Sequence, residues 1–514
     1  MNRDFNQVVL PFNLGIKIPK DDPVRKLNDI CESLDYSELN KEYGRSWRKF
    51  TPSTLFKILV YGYMNRKYSS RDIEEACKRD ICFMWLLNGE PAPDHSTLSR
   101  FQNEKLISVI SGLFYQVIKR LSEMNEIKFE NIFVDGTKIE ANANKYTFVW
   151  RSVAEKNLGK LNEKIEKVLP EILQRYGIKE KTAVKECLTL LKRQAELTGL
   201  KYVYGSGKRK KQLQKDIEYL SENNDKIERY TTYLTKMGDR KSISKTDTDA
   251  TFMRMKEDYM KNGQLKPGYN IQIGVESEYI VGIGSFSNRS DVDTLTKFLD
   301  SVKSQTGKTY KNVIADSGYE SEENYEYLKS NGQTTYIKPT NYEISKTRKY
   351  KNNVYRAENM FYDEQKDLFV CAEGKELKYV YSRIEETQNK YKAEKRIYRT
   401  DTCMNCPNRS KCYNSDRQSR ELKVSLKFMN DRRNSLENIT SEDGVKLRIN
   451  RSIQVEGAFG VIKQDFGFRR FLTRGKHKTE TQFYLLALAF DIEKLCNRTV
   501  NERLNHDLFE IKAA

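Results

Sequence analysis

The sequence predicts an α/β protein built around a mixed β-sheet. Two similar segments support this prediction. In each, a short apolar run leads into an aspartate that is closely followed by a glycine, at residues 131–136 and at residues 312–318. Both segments are typical of strands that end at the mouth of a sheet, and they would place Asp135 and Asp316 there.

The other elements of this core are predicted between residues 246 and 340. Residues 268–275 and 279–284 have strand-like patterns, and residues 334–338 form a further β-like run. One helix is expected to begin at Ser290, an N-cap residue followed by acids, and another to span residues 321–330. Strands that alternate with helices in this way indicate a mixed α/β core.

The N-terminal segment, residues 20–110, is predicted to be helical. Thr51 suits a helix N-cap and Pro52 the first helical position. Ser69 and Asp72 resemble a capping box in which Asp replaces the usual Glu. Short helices joined by turns are compatible with helix-turn-helix DNA binding, and equally with a plain helical bundle.

Residues 151–245 are charged, with leucines at helical spacing, and predict a coiled-coil-like helical hairpin. A glycine-flanked break at residues 205–207 precedes a basic run. The run consists of Lys208, Arg209, Lys210 and Lys211. Such charge is usually a solvated helix face; the alternative is contact with DNA.

Residues 341–435 are polar and basic, and their distinctive feature is a set of four cysteines. The set consists of Cys371, Cys403, Cys406 and Cys412. A CxxC pair with two further thiols has the ligand count of a structural zinc site. The alternative is four reduced cysteines without a metal.

Residues 440–500 are predicted to be helical. Glu456 and Lys463 are seven residues apart, which is two helical turns, so they share a face. The stretch that begins at Thr481 is apolar nearly all round and is expected to lie in the core.

Asp135, Asp316 and Glu456 together form the candidate catalytic set. Three hard oxygen ligands suit Mg²⁺ rather than a soft metal. Two such ions about 3.5–4 Å apart can clamp the attacking and leaving oxygens of a phosphoryl displacement. The alternative for each aspartate is structural, because an acid that follows a strand usually caps a helix or turn.

The composition favours a polyanionic partner. The 514 residues include 91 Lys and Arg against 72 Asp and Glu, a formal net charge of +19 that would attract nucleic acid. Simple solubility is the alternative. The sequence contains no run of 18 apolar residues, so no membrane span is expected, and the N-terminus lacks the apolar core of a signal peptide. Nine mostly scattered cysteines favour a reduced, cytosolic protein.

Several motifs recur in one known family. They are Ser70-Arg-Asp-Ile-Glu-Glu-Ala, Pro93-Asp-His-Ser-Thr-Leu-Ser-Arg-Phe, Val134-Asp-Gly-Thr-Lys-Ile-Glu-Ala-Asn-Ala, Gly268-Tyr-Asn-Ile-Gln, Ala315-Asp-Ser-Gly-Tyr and Arg451-Ser-Ile-Gln-Val-Glu-Gly-Ala-Phe-Gly-Val-Ile-Lys. With them the chain resembles, over nearly its whole length, the DDE transposases of bacterial insertion sequences. The similarity is to the branch usually called IS-eleven-eighty-two, within the larger IS-five-like group.

The resemblance implies an RNase H-like catalytic fold and four domains. These are an N-terminal helical DNA-binding domain (1–120), a catalytic core (121–150, 246–340 and 436–500), a helical insertion (151–245) and a Cys-rich, zinc-binding insertion (341–435). The family's acids match Asp135, Asp316 and Glu456. Its signature around the glutamate matches Lys463, whereas Arg451 stands one residue before the family's arginine; both are expected to contact DNA.

The resemblance also implies a reaction and its partners. The expected activity is DNA strand cleavage and strand transfer dependent on Mg²⁺ or Mn²⁺, in the cytoplasm at the nucleoid. The substrate would be double-stranded DNA, both terminal inverted repeats and target DNA, bound by a homodimer. Two alternatives remain: a DNA-binding derivative that has lost catalysis, and a metal-dependent nuclease that does not join strands.

Overall fold

The computed structural model describes residues 14–44, 50–179, 182–205, 209–255, 264–387, 389–400, 403, 406–412 and 419–510, without the side chain of Ile16. It confirms a mixed α/β protein with a mixed sheet. The described residues fall into two compact units. Unit 1 comprises those within Met1–Thr137, Asn270–Leu472 and His477–Ala514, and unit 2 those within Lys138–Tyr269 and Thr473–Lys476.

The α-helices are α1 Leu14–Lys17, α2 Pro23–Glu32, α3 Ser37–Tyr43, α4 Pro52–Met64, α5 Ser70–Arg79, α6 Ile81–Leu87, α7 His95–Arg100, α8 Ile110–Glu123, α9 Arg151–Arg175, α10 Val184–Leu197, α11 Gln212–Met237, α12 Leu295–Thr306, α13 Glu322–Ser330, α14 Tyr342–Ser345, α15 Arg348–Lys351, α16 Arg409–Cys412, α17 Leu426–Thr440, α18 Glu442–Arg451, α19 Gly457–Gly460 and α20 Lys476–Val500. Wide, π-type turns occur at Phe101–Lys105, Ser452–Glu456 and Val461–Asp465, and 3₁₀ turns at Ser317–Tyr319 and Ala357–Asn359. None of the helices that the structure describes is long and apolar enough to cross a membrane.

The β-strands are β1 Asn131–Glu140, β2 Phe148–Trp150, β3 Ser242–Ser244, β4 Thr251–Arg254, β5 Leu265–Glu276, β6 Tyr279–Phe286, β7 Asn312–Ala315, β8 Thr334–Ile337, β9 Phe361–Asp363, β10 Leu368–Val370, β11 Glu376–Glu386, β12 Lys392–Arg399 and β13 Glu421–Val424. In unit 1 the main sheet has the order β6-β5-β1-β7-β8. β1 pairs with β7, and β7 with β8, in parallel, whereas β5 and β6 form an antiparallel pair.

The close approach of β5 to β1 depends on a glycine. A Cβ added at Gly274, near the end of β5, would lie 2.6 Å from the side chain of Ile132 near the start of β1. At the other end of the pair, in unit 2, Ala141 just beyond β1 donates its N–H to the carbonyl of Pro267 near the start of β5. The two strands therefore run antiparallel, and the sheet is mixed.

The predicted helix starts of the N-terminal segment are confirmed. Thr51 caps α4, its hydroxyl accepting the N–H of Thr54 at 3.2 Å, and Pro52 occupies the first position. Ser69 caps α5 by accepting the N–H of Asp72 at 3.1 Å. Polar side chains at these two positions satisfy N–H groups that a helix cannot pair internally.

Two helix predictions are corrected. Within unit 2, the described residues of 151–245 form three helices rather than a hairpin, because Cys187, Leu188 and Leu191 give α10 an apolar face that packs into a buried cluster with residues of α9 and α11. The helix expected at Ser290 begins at Leu295 instead, after a bend that contains Asp291.

The segment that carries the cysteines folds around an antiparallel sheet of order β13-β12-β11-β10-β9. Its apolar side buries one cluster, composed of Met360, Phe369, Leu377, Tyr398, Leu422 and Val424. This small core explains how a strongly polar segment can fold.

Buried polar contacts fix α20 to the β5–β6 turn in unit 1. The Arg498 guanidinium donates to Glu126 at 3.0 Å, to Glu278 at 3.1 Å, and to the carbonyls of Ser277 and His506. The side chains of Arg498 and Glu126 are only 2% and 1% exposed. Each charge is therefore tolerated inside the protein only while the other is present.

We predict that Arg498→Met lowers the free energy of unfolding by about 3–5 kcal/mol, because it leaves Glu126 buried without its cation. Chemical denaturation would measure this change. Arg120→Met is the control: its pair with Glu123 is exposed, so it should cost less than about 1 kcal/mol. An equal loss in the two variants would contradict the prediction.

Candidate active site

The register of two parallel strands brings the two candidate aspartates together. β1 and β7 pair from Asn131 with Asn312 to Val134 with Ala315. Asp135 and Asp316 are the next residues on each strand, so they emerge side by side at the same edge. Both strands are buried on both faces along this pairing, so the register is fixed by how side chains of different size pack on each face.

The two aspartates are held differently. Asp316 follows the end of β7 as predicted, and its Oδ1 accepts the N–H of Gly318 at 2.8 Å, so it also caps the 3₁₀ turn. Asp135 does not end its strand, because β1 continues to Glu140. Its neighbour β7 ends at Ala315, so the β1–β7 pairing ends at Val134, one residue before Asp135.

Glu456 reaches the same place from a distant helical segment. It is the last residue of the wide turn Ser452–Glu456, between α18 and α19. Buried amides anchor this segment: Gln454 accepts the N–H of Glu278 at 2.9 Å and donates to the carbonyl of Asp507, and Asn450 donates to the carbonyl of Phe509.

The Arg451 guanidinium joins the three acids. Its Nη2 lies 3.5 Å from Asp135 Oδ1 and 3.8 Å from Asp316 Oδ2, and its Nη1 lies 3.8 Å from Glu456 Oε1. These separations are ion pairs rather than hydrogen bonds. Residues from a strand, a strand end and a helix therefore converge on one cation.

The site opens towards Glu456. The side chains of Arg451 and Asp135 are 13% and 9% exposed, whereas those of Asp316 and Glu456 are 41% and 59% exposed. Two of the acids therefore present oxygens to solvent.

The wide turn explains why Arg451 and Glu456 face each other. They are five residues apart, and a regular helix of 3.6 residues per turn would point them in different directions. A π-type turn closes after five residues and so aligns the pair. The residue types give no signal for such a turn, and sequence reasoning therefore assigned Arg451 to DNA contact alone.

The donor set fits a hard divalent cation. The three acids supply carboxylate oxygens, and a positive group already lies within 3.8 Å of each. Among the residues that the structure describes, no three His, Cys, Asp or Glu side chains are arranged closely enough to hold a metal ion. The acids would thus have to move inward around a metal as Arg451 gives way.

The predicted DNA-binding residues lie in different parts of the chain. Lys463 is half-buried in the second wide turn, Val461–Asp465, in unit 1. Arg209 and Lys211 are exposed in unit 2, and Lys210 pairs with Glu218 at 2.7 Å. Lys208 lies outside the described residues.

The four candidate zinc ligands line one small cavity. Cys371, Cys403, Cys406 and Cys412 are among the residues that line a space of about 30 Å³, but as described their thiols are not grouped closely enough to hold a metal ion. Arg420 donates to the sulfur of Cys412 at 2.7 Å.

Sequence reasoning missed a polar network beside the aspartates. Asn270 and Gln272, on β5, donate to Asp291 Oδ1 at 2.7 and 2.9 Å, and the Tyr319 hydroxyl donates to Gln272. Burial raises the pKa of Tyr319 well above its usual value, and the charges of Asp291, Asp135 and Asp316 raise it further. The signal was present: Asn270 and Gln272 are polar residues two apart in an otherwise apolar strand, so they share a face.

Two protein-family models match the chain. One is described as "Transposase DDE domain" and matches residues 370–496, which include Arg451 and Glu456. The other is described as "Transposase domain (DUF772)" and matches residues 12–104, within the N-terminal helices. The two matches indicate a transposase. They support the DDE class, and neither includes Asp135 or Asp316. No curated protein and no solved structure matches the chain.

We predict that Gly136→Ala destabilises the protein by about 1–3 kcal/mol through overpacking. An added Cβ would lie 2.1 Å from the Gln272 amide nitrogen and 2.9 Å from Asp291 Oδ1. Thermal or chemical unfolding would measure the loss.

Gly112→Ala is the matched control. It lies in α8 with no atom within 4 Å of the added Cβ, and should stabilise by roughly 0.5–1 kcal/mol because alanine favours helix. A neutral Gly136→Ala would show that the network yields easily and does not hold β1 in place.

Proposed function

We propose that this chain is the DNA transposase of a bacterial insertion sequence, of the IS-eleven-eighty-two branch. The main support is the convergence of Asp135, Asp316 and Glu456 on Arg451. Residues so far apart in sequence have no structural need to share one cation. A net charge of +19 and the two transposase matches favour the same function.

The proposal includes an RNase H-like catalytic core. The order β6-β5-β1-β7-β8, with an antiparallel β5–β6 pair and parallel β1, β7 and β8, is compatible with it. In this interpretation α9–α11 form a helical insertion between β1 and β5. The sheet β9–β13 belongs to a second insertion, and the N-terminal helices form a DNA-binding domain.

Asp135, Asp316 and Glu456 would hold Mg²⁺ or Mn²⁺ ions. When bound, such ions activate an attacking oxygen and stabilise the leaving oxygen of a phosphodiester. Asp316 can turn Oδ2 towards an ion while Oδ1 keeps its bond to Gly318, so the 3₁₀ turn need not unfold.

The reaction would proceed in two in-line displacements. Water attacks the phosphodiester at the element's end and breaks the P–O3′ bond, leaving a 3′-hydroxyl and a 5′-phosphate. That hydroxyl then attacks a target phosphodiester, forms a new P–O3′ bond and releases the target's 3′-hydroxyl. In each step the attacking oxygen loses its proton to solvent, and no covalent enzyme intermediate forms.

Arg451 and Lys463 would supply positive charge to the DNA. The family's arginine stands four residues before the glutamate, and Arg451 stands five before Glu456. The wide turn would compensate for the extra residue, since it brings Arg451 Nη1 to 3.8 Å from Glu456 Oε1. Once ions neutralise the acids, its guanidinium is free to pair with a phosphate.

The DNA partners are proposed to be the terminal inverted repeats and the target, held by a homodimer. Arg209, Lys210 and Lys211 would add phosphate contacts from unit 2. A nuclease that cuts without joining would use the same acids, and a silent derivative would only bind. Strand-transfer products separate these three activities.

We predict that Asp135→Asn, Asp316→Asn and Glu456→Gln each abolish cleavage of a labelled terminal fragment in Mg²⁺. Each removes a charged ligand, whereas DNA affinity comes mostly from Lys and Arg contacts to phosphate. Gel shifts should therefore show unchanged binding.

Glu442→Gln is the control for these variants, since Glu442 is an exposed acid at the start of α18. It should cut and join normally. Normal cutting by any of the three variants would remove that residue from the site. Cutting by the wild type without joined products would identify a nuclease.

We also propose a structural zinc site formed by Cys371, Cys403, Cys406 and Cys412. Their shared cavity and the CxxC spacing support it. Four thiolates prefer zinc, while the carboxylates prefer Mg²⁺, so the two sites should load independently.

We predict about one zinc per chain, lost in Cys403→Ser together with thermal stability, because a structural site contributes folding energy. Elemental analysis of purified protein would measure the metal. Cys82→Ser, in α6, is the control and should retain zinc. Metal-free wild-type protein with four titratable thiols would refute the site.

A further inference from the structure

Asp291 is a fourth carboxylate beside the candidate acids, and neither the family's triad nor the matched segments include it. It lies in the bend between β6 and α12, half-buried, in the same compact unit as the triad. Its carbonyl accepts the N–H and the hydroxyl of Thr294, at 3.0 and 2.6 Å, so the bend itself is fixed.

The partners of Asp291 are completely buried. Asn270, Gln272 and Tyr319 are each 0% exposed. Both polar atoms of the Gln272 side chain have hydrogen-bond partners. The amide nitrogen donates to Asp291 at 2.9 Å and to Asn270 at 3.1 Å, and the oxygen accepts from Tyr319. Burying so many polar groups is costly unless all are satisfied, and here the Asp291 carboxylate is the acceptor that completes the network.

The network lies directly against the backbone that carries both aspartates. A Cβ added at Gly136, the residue after Asp135, would lie 2.9 Å from Asp291 Oδ1. A Cβ added at Gly318, whose N–H caps Asp316, would lie 3.9 Å from Asp291 Oδ2. One carboxylate therefore faces the main chain beside each of the two acids.

Charge gives Asp291 a second effect at this position. Three carboxylates offset three of the four positive charges of a two-ion site, and Arg451 adds one more positive charge nearby. The negative charge of Asp291, behind Asp135 and Asp316, would lower the electrostatic cost of bringing these positive charges together.

We propose that Asp291 is a positioning residue for the metal-binding acids: through Gln272 and Tyr319 it fixes the Asp135 and Asp316 backbones, and its charge strengthens cation binding. This inference rests on the proposed metal-dependent function. It assigns Asp291 no contact with DNA and no place among the direct ligands.

The test compares Asp291→Asn with Asp293→Asn in the full-length protein. The Asp291→Asn side chain keeps an oxygen that can accept from Asn270 and Gln272, but it lacks the charge. Asp293 is two residues away and instead accepts from Asn389 at 2.9 Å, so it is a matched control. Binding of Mn²⁺ or of luminescent Tb³⁺ is measured without DNA, alongside the Mg²⁺ dependence of cleavage.

We expect Asp291→Asn to weaken cation binding by about tenfold to a hundredfold, as loss of a residue behind the ligands does elsewhere. The Mg²⁺ concentration for half-maximal cleavage should rise in parallel, while saturating Mg²⁺ restores most of the rate. Asp291→Glu, which retains the charge, should recover part of the affinity. Asp293→Asn should behave as wild type.

Unchanged cation binding and Mg²⁺ dependence in Asp291→Asn would overturn the inference. If that variant does not fold, Tyr319→Phe replaces it, since it removes only the hydroxyl that holds Gln272; unchanged cation binding there would overturn the positioning role. Asp135→Asn is run in parallel. If Asp135→Asn still cleaves DNA, the proposed function itself fails. If Asp135→Asn is inactive and Asp291→Asn behaves as wild type, only the role of Asp291 is rejected.

Discussion

The carboxylates of Asp135, Asp316 and Glu456 can lie close together because the Arg451 guanidinium lies among them. Two unit charges about 4 Å apart interact by roughly 4 kcal/mol at an effective dielectric of 20, so an uncompensated cluster would push its members apart. A single guanidinium within 3.8 Å of all three offsets this repulsion. The same requirement for positive charge underlies our proposal that these acids bind divalent ions.

The surrounding architecture supplies the alignment that this pairing needs. The parallel β1–β7 register places Asp135 beside Asp316, and buried amides of the α18 segment hold Glu456 opposite them. Behind the aspartates lies the fully buried Asn270, Gln272 and Tyr319 network. Charge and packing therefore act in opposite directions: packing brings the acids together, and Arg451 makes their proximity tolerable.

Much of this arrangement could be predicted from sequence, because apolar runs and capping residues are local signals. The strands that carry the aspartates, the caps of α4 and α5, and the three acids that meet were all expected. The position of Arg451 was not, since it depends on a wide turn that no residue pattern marks. Asp291 was interpreted as part of a helix start, because its partners lie about twenty residues earlier on β5 and only tertiary structure reveals them.

The wide turn at Ser452–Glu456 bears on how relatives of this chain can be compared. An insertion of one residue in a helix normally rotates everything beyond it by about 100°. Here a single wide turn brings Arg451 and Glu456, five residues apart, to the same side of the segment, which a regular helix would not do. Motifs in such helices are better compared by counting turns than by counting residues. A search for one fixed spacing would overlook an arginine that a wide turn brings beside the glutamate.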